Sequence, residues 1–194
     1  MAELPKIDKK YLEKFLVDLL NTPSPTGFAH KAIDFTEKAL KNIPDITTKI
    51  TKKGGLVGSW SGEKNDTPRA LTAHVDTLGG MVKEIKPNGR IKITRIGGLL
   101  LNGVETEGCT VYTQEGKSIR GSFMINAASV HVFAAKTNDT KRTEDVMEVR
   151  LDERTSSADE TRKLGIEVGD YIVFDKSDGQ RRSLIIPPSK NRAG

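Results

Sequence analysis

The chain has only three histidines, and one of them, His74, stands two residues before Asp76 in the stretch LTAHVDTLGG, residues 71–80. In extended backbone, residues two apart point to the same side. An imidazole and a carboxylate could therefore face one space. Neutral imidazole is a good ligand for zinc or cobalt. A carboxylate on the other ring nitrogen fixes the tautomer and raises the basicity of the ligating atom. The spacing has low specificity by itself. A histidine ending a strand, with Asp76 as a turn residue, is the commoner outcome. Zinc also draws about three or four protein ligands, and His74 is one.

Other reactive residue types read more plainly. His30 falls in a helix beside a Pro/Gly loop and reads as a surface or partly packed side chain. His131, in ASVHVF, alternates with apolar neighbours and is expected in a strand. Cys109 follows Gly108 in a strand-like run and reads as a small buried hydrophobe rather than a nucleophile. Asp152 and Glu153 read as solvated loop carboxylates. The pairs Gly79-Gly80 and Gly97-Gly98 do not make a phosphate-binding pattern.

The elements that must position His74 follow from periodicity. Residues 8–21 place Tyr11, Leu12, Phe15, Leu16, Leu19 and Leu20 on one helical stripe. NTPSPTG, residues 21–27, breaks it with two prolines and a glycine. A second helix is expected over about residues 28–42, with Ala32, Ile33, Thr36, Ala39, Leu40 and Ile43 on its buried side. Alternation around 46–50 and 56–60 predicts two strands. Residues 69–74 are expected to form a short buried strand ending at His74. In a doubly wound sheet that carboxyl end is where ligands sit.

Beyond Gly80 the texture changes. MVKEIKPNGRIKITRIGG alternates on both sides of Pro87-Asn88-Gly89, a hairpin signal, and CTVYTQEGKSIRGSFMI repeats the design around Glu115-Gly116-Lys117. Further strands are expected within 144–152 and 168–175. Between them Ser157 and Glu160 make a capping box, and Gly165 ends the short helix. Residues 1–77 thus read as α/β material, and residues 78–175 as a β-rich module suggestive of a small barrel.

The 194 residues suffice for one sizeable core or two small ones. No apolar stretch approaches a membrane span, and the first residues lack a signal-peptide core. A single cysteine excludes an internal disulfide framework and fits a reducing, cytoplasmic compartment. The net charge of +5 is concentrated: residues 176–194 carry +4 and leave +1 for residues 1–175. Arg181 and Arg182 stand in that polar segment, which does not resemble a folded basic face. Nucleic-acid binding is not the expectation.

Three segments together resemble metallopeptidase family forty-two, the glutamyl and deblocking aminopeptidases, some once labelled endoglucanase-like. They are NTPSPTG, TAHVDTLGGMVKEIKPNGRIKITRIGG (72–98) and VRLDERTSSADETRKLGIEVGDYIVFD (149–175). The resemblance spans residues 1–175. It implies that His74 matches a histidine holding one of two divalent ions, zinc or cobalt, and that Asp76 matches the catalytic-site aspartate that orients it. It implies an α/β catalytic lobe of the doubly wound kind, interrupted by a barrel-like module (78–175) that takes part in homo-oligomer assembly. The implied reaction removes N-terminal residues from peptides, with activated water as nucleophile and a glutamate as general base. Thr77 departs from the family, in which many members have glutamate.

The family's later motifs, a His-Leu-Asp-Asp-Lys run, paired glutamates, a further aspartate and a last histidine, do not occur in these 194 residues. The expectation is a truncated chain that supplies one metal ligand and has no activity alone, with residues 176–194 a basic tail of non-family sequence from a frameshift or mis-called end. The alternative is a non-catalytic assembly or binding module built on the β-domain.

Overall fold

The computed structural model describes residues 6–64 and 66–175. The expected basic tail, with Arg181 and Arg182, lies outside the described residues.

Two helices open the chain. Helix α1 (Lys9–Asn21) is capped by Asp8, whose carboxylate accepts from the Tyr11 amide at 3.1 Å. Helix α2 (His30–Leu40) follows the proline-containing loop. The apolar stripe of α1 is only partly covered: no α1 residue is buried, Phe15, Leu19 and Leu20 are intermediate, and Tyr11 and Leu12 are exposed. On α2 only Ala32 is buried. Strands β1 (Ile46–Ile50) and β2 (Leu56–Trp60) pair antiparallel as a two-stranded sheet. A lone hairpin covers little surface, so Val57 and Trp60 remain exposed.

Six strands then close into an antiparallel barrel in the order β3-β4-β7-β6-β5-β8. They are β3 (Gly79–Ile85), β4 (Ile91–Ile96), β5 (Gly108–Tyr112), β6 (Ser118–Ile125), β7 (Met147–Leu151) and β8 (Tyr171–Phe174). The alternation seen in the sequence is the barrel's inside–outside code. Ile91 and Ile93, Cys109 and Val111, Met147 and Val149, and Ile172 point inward around Phe123, which is fully buried. The hairpin at residues 87–89 turns through Gly89 at φ +79°, a left-handed conformation that glycine adopts without cost. Helix α5 (Ala158–Lys163) closes over this turn, and the buried Thr161 hydroxyl donates to the Gly89 carbonyl at 2.8 Å. The expected capping box forms with a shift: Ser157 Oγ accepts from the Glu160 amide at 3.3 Å, and the Glu160 carboxylate accepts from the Ser156 amide at 2.6 Å.

Between β6 and β7 the chain makes an excursion with two short helices, α3 (Val130–Phe133) and α4 (Lys136–Asp139). His131, expected in a barrel strand, lies on α3 and is exposed. The chain turns at Asn126 and Ala127 and leaves the sheet, so the local alternation of VHVF has no strand to pair with. Cys109 is fully buried on β5, as its sequence setting predicts.

The barrel is entered by β3 and left by β8, and these two strands are paired, Gly80 opposite Ile172. The helical segment reaches this same edge. Phe28 stacks on Tyr171 at 5.0 Å and packs on Tyr112 at 5.7 Å, and the Lys31 ammonium sits 5.0 Å from the Tyr112 ring centroid. Pro25 is buried and bridges Thr77 in parallel.

Candidate metal site at His74

The expected strand over residues 69–74 does not form. These residues have no strand pairing and are exposed; Leu71 is fully exposed. The reason lies in the neighbours. A buried strand needs a neighbour on each side and a covered face, and among the described residues the exposed β1–β2 hairpin supplies neither. Regular structure resumes at Thr77, where the chain bridges Pro25.

His74 and Asp76 nonetheless meet as the spacing suggested. Imidazole Nδ1 lies 3.1 Å from Asp76 Oδ1 and 3.2 Å from the Asp76 carbonyl oxygen. Both neighbours are acceptors, so Nδ1 carries the proton and donates. The lone pair is then on Nε2, which has no hydrogen-bond partner among the described residues. The His74 side chain is 85% exposed. The second carboxylate oxygen of Asp76 accepts from the Thr26 hydroxyl at 2.5 Å. That hydrogen bond, ahead of the imidazole contact, holds the Asp76 carboxyl below its usual range.

Thr26 is the residue that sequence reasoning missed. NTPSPTG reads as a helix breaker, and nothing in its composition names a partner 50 residues away. The loop and the HVDT stretch are laced together by backbone as well. Thr77 N–H donates to Ser24 O at 2.7 Å, and Thr26 N–H donates to Thr77 O at 3.3 Å. The Ser24 hydroxyl is buried and has no hydrogen-bond partner among the described residues. Next to these residues is an open cavity of about 320 Å³, lined by Leu20, Thr22, Thr77, Tyr112 and Asp175.

The donor set fits one ligand of a divalent centre: a neutral ring nitrogen facing outward, with its partner nitrogen held by a carboxylate. It does not fit a complete centre. Among the described residues no three His, Cys, Asp or Glu side chains are gathered as a metal ion would need. His30 is packed edge-on against Phe28 at 4.7 Å and does not join His74.

Burial, ahead of the nearby Asp175 charge, pushes the Cys109 thiol up to about 12. Asp152 and Glu153 are exposed, in the loop that leads to α5.

Residues 54–181 match the family model described as M42 glutamyl aminopeptidase. That match extends past Asp175 into the segment set apart as a tail. YhfE of Bacillus subtilis strain 168 is 41% identical over 162 residues, covering 84% of this chain and 46% of that protein. An aminopeptidase, APDkam598, from the archaeon Desulfurococcus kamchatkensis superposes with a TM-score of 0.73 at 27% identity, covering 86% of this chain and 43% of its own. The TET1 peptidase of Pyrococcus horikoshii, which can assemble into a tetrahedron or a large octahedral shell, shares the fold with a TM-score of 0.64 at 20% identity, covering 84% of this chain and 46% of its own. The chain spans less than half the length of these relatives.

Proposed function

This chain belongs to the M42 glutamyl aminopeptidase family, and on that premise we propose that it carries the first metal ligand of a peptide-hydrolysing centre completed by residues outside these 194. The observation that carries the reading is the His74–Asp76 pair. Its imidazole is held as the Nδ1–H form, with Nε2 turned outward. His74 would hold a divalent ion, zinc or cobalt, through Nε2, and Asp76 would orient the ring without touching the ion. A divalent ion bound there supplies Lewis acidity for hydrolysis of an N-terminal peptide bond. In the full architecture, residues 69–74 form one strand of a doubly wound catalytic sheet, of which residues 1–77 are the first part, and residues 78–175 are an inserted β-domain. A cytoplasmic setting fits the one cysteine, which is unpaired, and described helices of which none is long and apolar enough to cross a membrane.

The 194-residue chain by itself is inactive in this reading. Purified protein incubated with Co²⁺ or Zn²⁺ and an aminoacyl-nitroanilide should show no turnover. Metal-dependent release of nitroaniline would refute the claim that the site is incomplete.

A second reading, in which the β-domain works as a non-catalytic homo-oligomerisation module, is favoured by the excursion between β6 and β7. Val130 and Val132 stand 54% and 72% exposed there, next to the exposed Phe133. An apolar run displayed this way is suited to a second copy of the chain. The shells formed by the TET1 peptidase of Pyrococcus horikoshii support the same idea by analogy of fold. Size-exclusion chromatography with and without metal separates the readings. Oligomers that form without metal and are abolished by Val132→Glu favour the module.

A further inference from the structure

We propose that Thr26 is a positioning residue for His74: its hydroxyl locks the Asp76 carboxylate in the orientation that keeps the imidazole as the Nδ1–H form and Nε2 as the ligating atom. The inference rests on the reading of His74 as a ligand and adds the residue that sets its geometry.

The argument starts from what else could hold this ring. The imidazole is 85% exposed, and residues 69–74 have no strand partner, so neither packing nor a sheet fixes it. Its only hydrogen-bond partners among the described residues are one carboxylate oxygen and the backbone carbonyl oxygen of Asp76. The Asp76 side chain is itself 35% exposed, and a free carboxylate rotates about its last torsion with little resistance. Thr26 stops that rotation by donating to Oδ2, which leaves Oδ1 for Nδ1–H.

Thr26 can do this because its loop is the rigid side of the site. Pro23 and Pro25 fix two of its φ angles. Pro25 is buried against Gly79, where a Cβ on the glycine would come within 2.7 Å of the proline ring. Gly27 takes φ +93°, and the Tyr171 hydroxyl occupies the space a side chain there would need. Phe28 is then stacked on Tyr171 of β8. The barrel thus holds the loop, the loop holds the carboxylate, and the carboxylate holds the ring. A threonine serving only its own loop would turn its hydroxyl to a neighbouring backbone group, not to a carboxylate 50 residues away.

The tautomer of His74 is measurable without activity. With ¹⁵N-labelled full chain at alkaline pH, where imidazole is neutral, long-range proton–nitrogen spectra report which ring nitrogen is protonated, and His30 and His131 serve as internal references. Wild type should show the Nδ1–H form dominant at His74. Thr26→Val should lower the ratio of the Nδ1–H to the Nε2–H form by up to about tenfold, bounded by one hydrogen bond to a charged group because the Asp76 carbonyl oxygen still accepts from Nδ1–H. Thr26→Ser should restore it. A Thr26→Val spectrum unchanged at His74, or a Thr26→Ser spectrum as altered as that of Thr26→Val, would overturn the proposal. Unchanged amide signals of Val111 and Ile172 verify in each variant that the barrel is intact. Mn²⁺ added to the wild-type sample tests the ligand reading separately. If His74 broadens no more than His131 in Mn²⁺ while Thr26→Val still shifts the tautomer, this chain holds no metal at His74 by itself and the positioning of the ring stands.

Discussion

At the scale of single residues, the chain separates groups that keep water from groups that lose it. Cys109 is the clearest case of the second kind. Its thiol is fully buried between β6 and β8, and burial raises it from an ordinary 9.0 to about 12. The folded state therefore binds the thiol proton more tightly than the unfolded state does. This stability is complete below the unfolded value of 9.0 and is lost as pH rises from there toward about 12. The thiolate is the nucleophile, so Cys109 should not react with a disulfide reagent at neutral pH in the native protein and should react fully in denaturant. Fast native labelling would show that the barrel opens at β5. The His74–Asp76 contact was legible from spacing and the burial of Cys109 from its strand setting. Thr26 was not legible, because a contact between positions 26 and 76 is made by the path of the backbone, which two isolated segments do not reveal.

At the scale of elements, the sequence signals that proved sufficient were those whose partners lie close along the chain. Hairpins at residues 87–89 and 115–117, the cap at Ser157 and the stop at Gly165 are all local, and all form. The strand expected over 69–74 needed neighbours that the described residues do not supply, and it did not form. His131 shows the opposite failure: a short alternation without pairing became a turn of helix. One element-scale contact is worth testing directly. Thr161 Oγ1 donates to the Gly89 carbonyl in a fully buried setting. Thr161→Val keeps the volume and strands that carbonyl, and should cost about 1–3 kcal/mol, read as a lower urea midpoint at unchanged slope. Ser157→Ala removes the cap of the same helix and should cost about 1 kcal/mol. The two losses should fall short of additive, because both act on how α5 seats over one turn.

At the scale of the whole molecule, stability is divided unevenly. The barrel holds nearly all of the buried apolar side chains, whereas α1 buries none and residues 69–74 pair with nothing. Hydrogen exchange should read this division. Amides of Val82, Ile93, Val111, Phe123 and Val149 should exchange only through global unfolding, and those of residues 69–74 at rates near an open chain. Protection over 69–74 in the isolated chain would mean that a sheet neighbour exists after all. The same imbalance explains why the fold class was only partly readable. Amphipathic stripes on α1 and α2 announce a face to be covered, but a stripe does not say what covers it.

The pairing of β3 with β8 sets Gly80 directly across from Ile172, so the polypeptide comes into the barrel and goes out of it through adjacent doorways about 5 Å apart. Some ninety residues lie between these two neighbouring points of the backbone. A tight turn of two or three residues would close the same opening. By connectivity the barrel is a cassette, but Tyr112 and Tyr171 on its rim also carry Phe28, so an exchanged barrel would have to offer the same two rings or release the loop that seats on them.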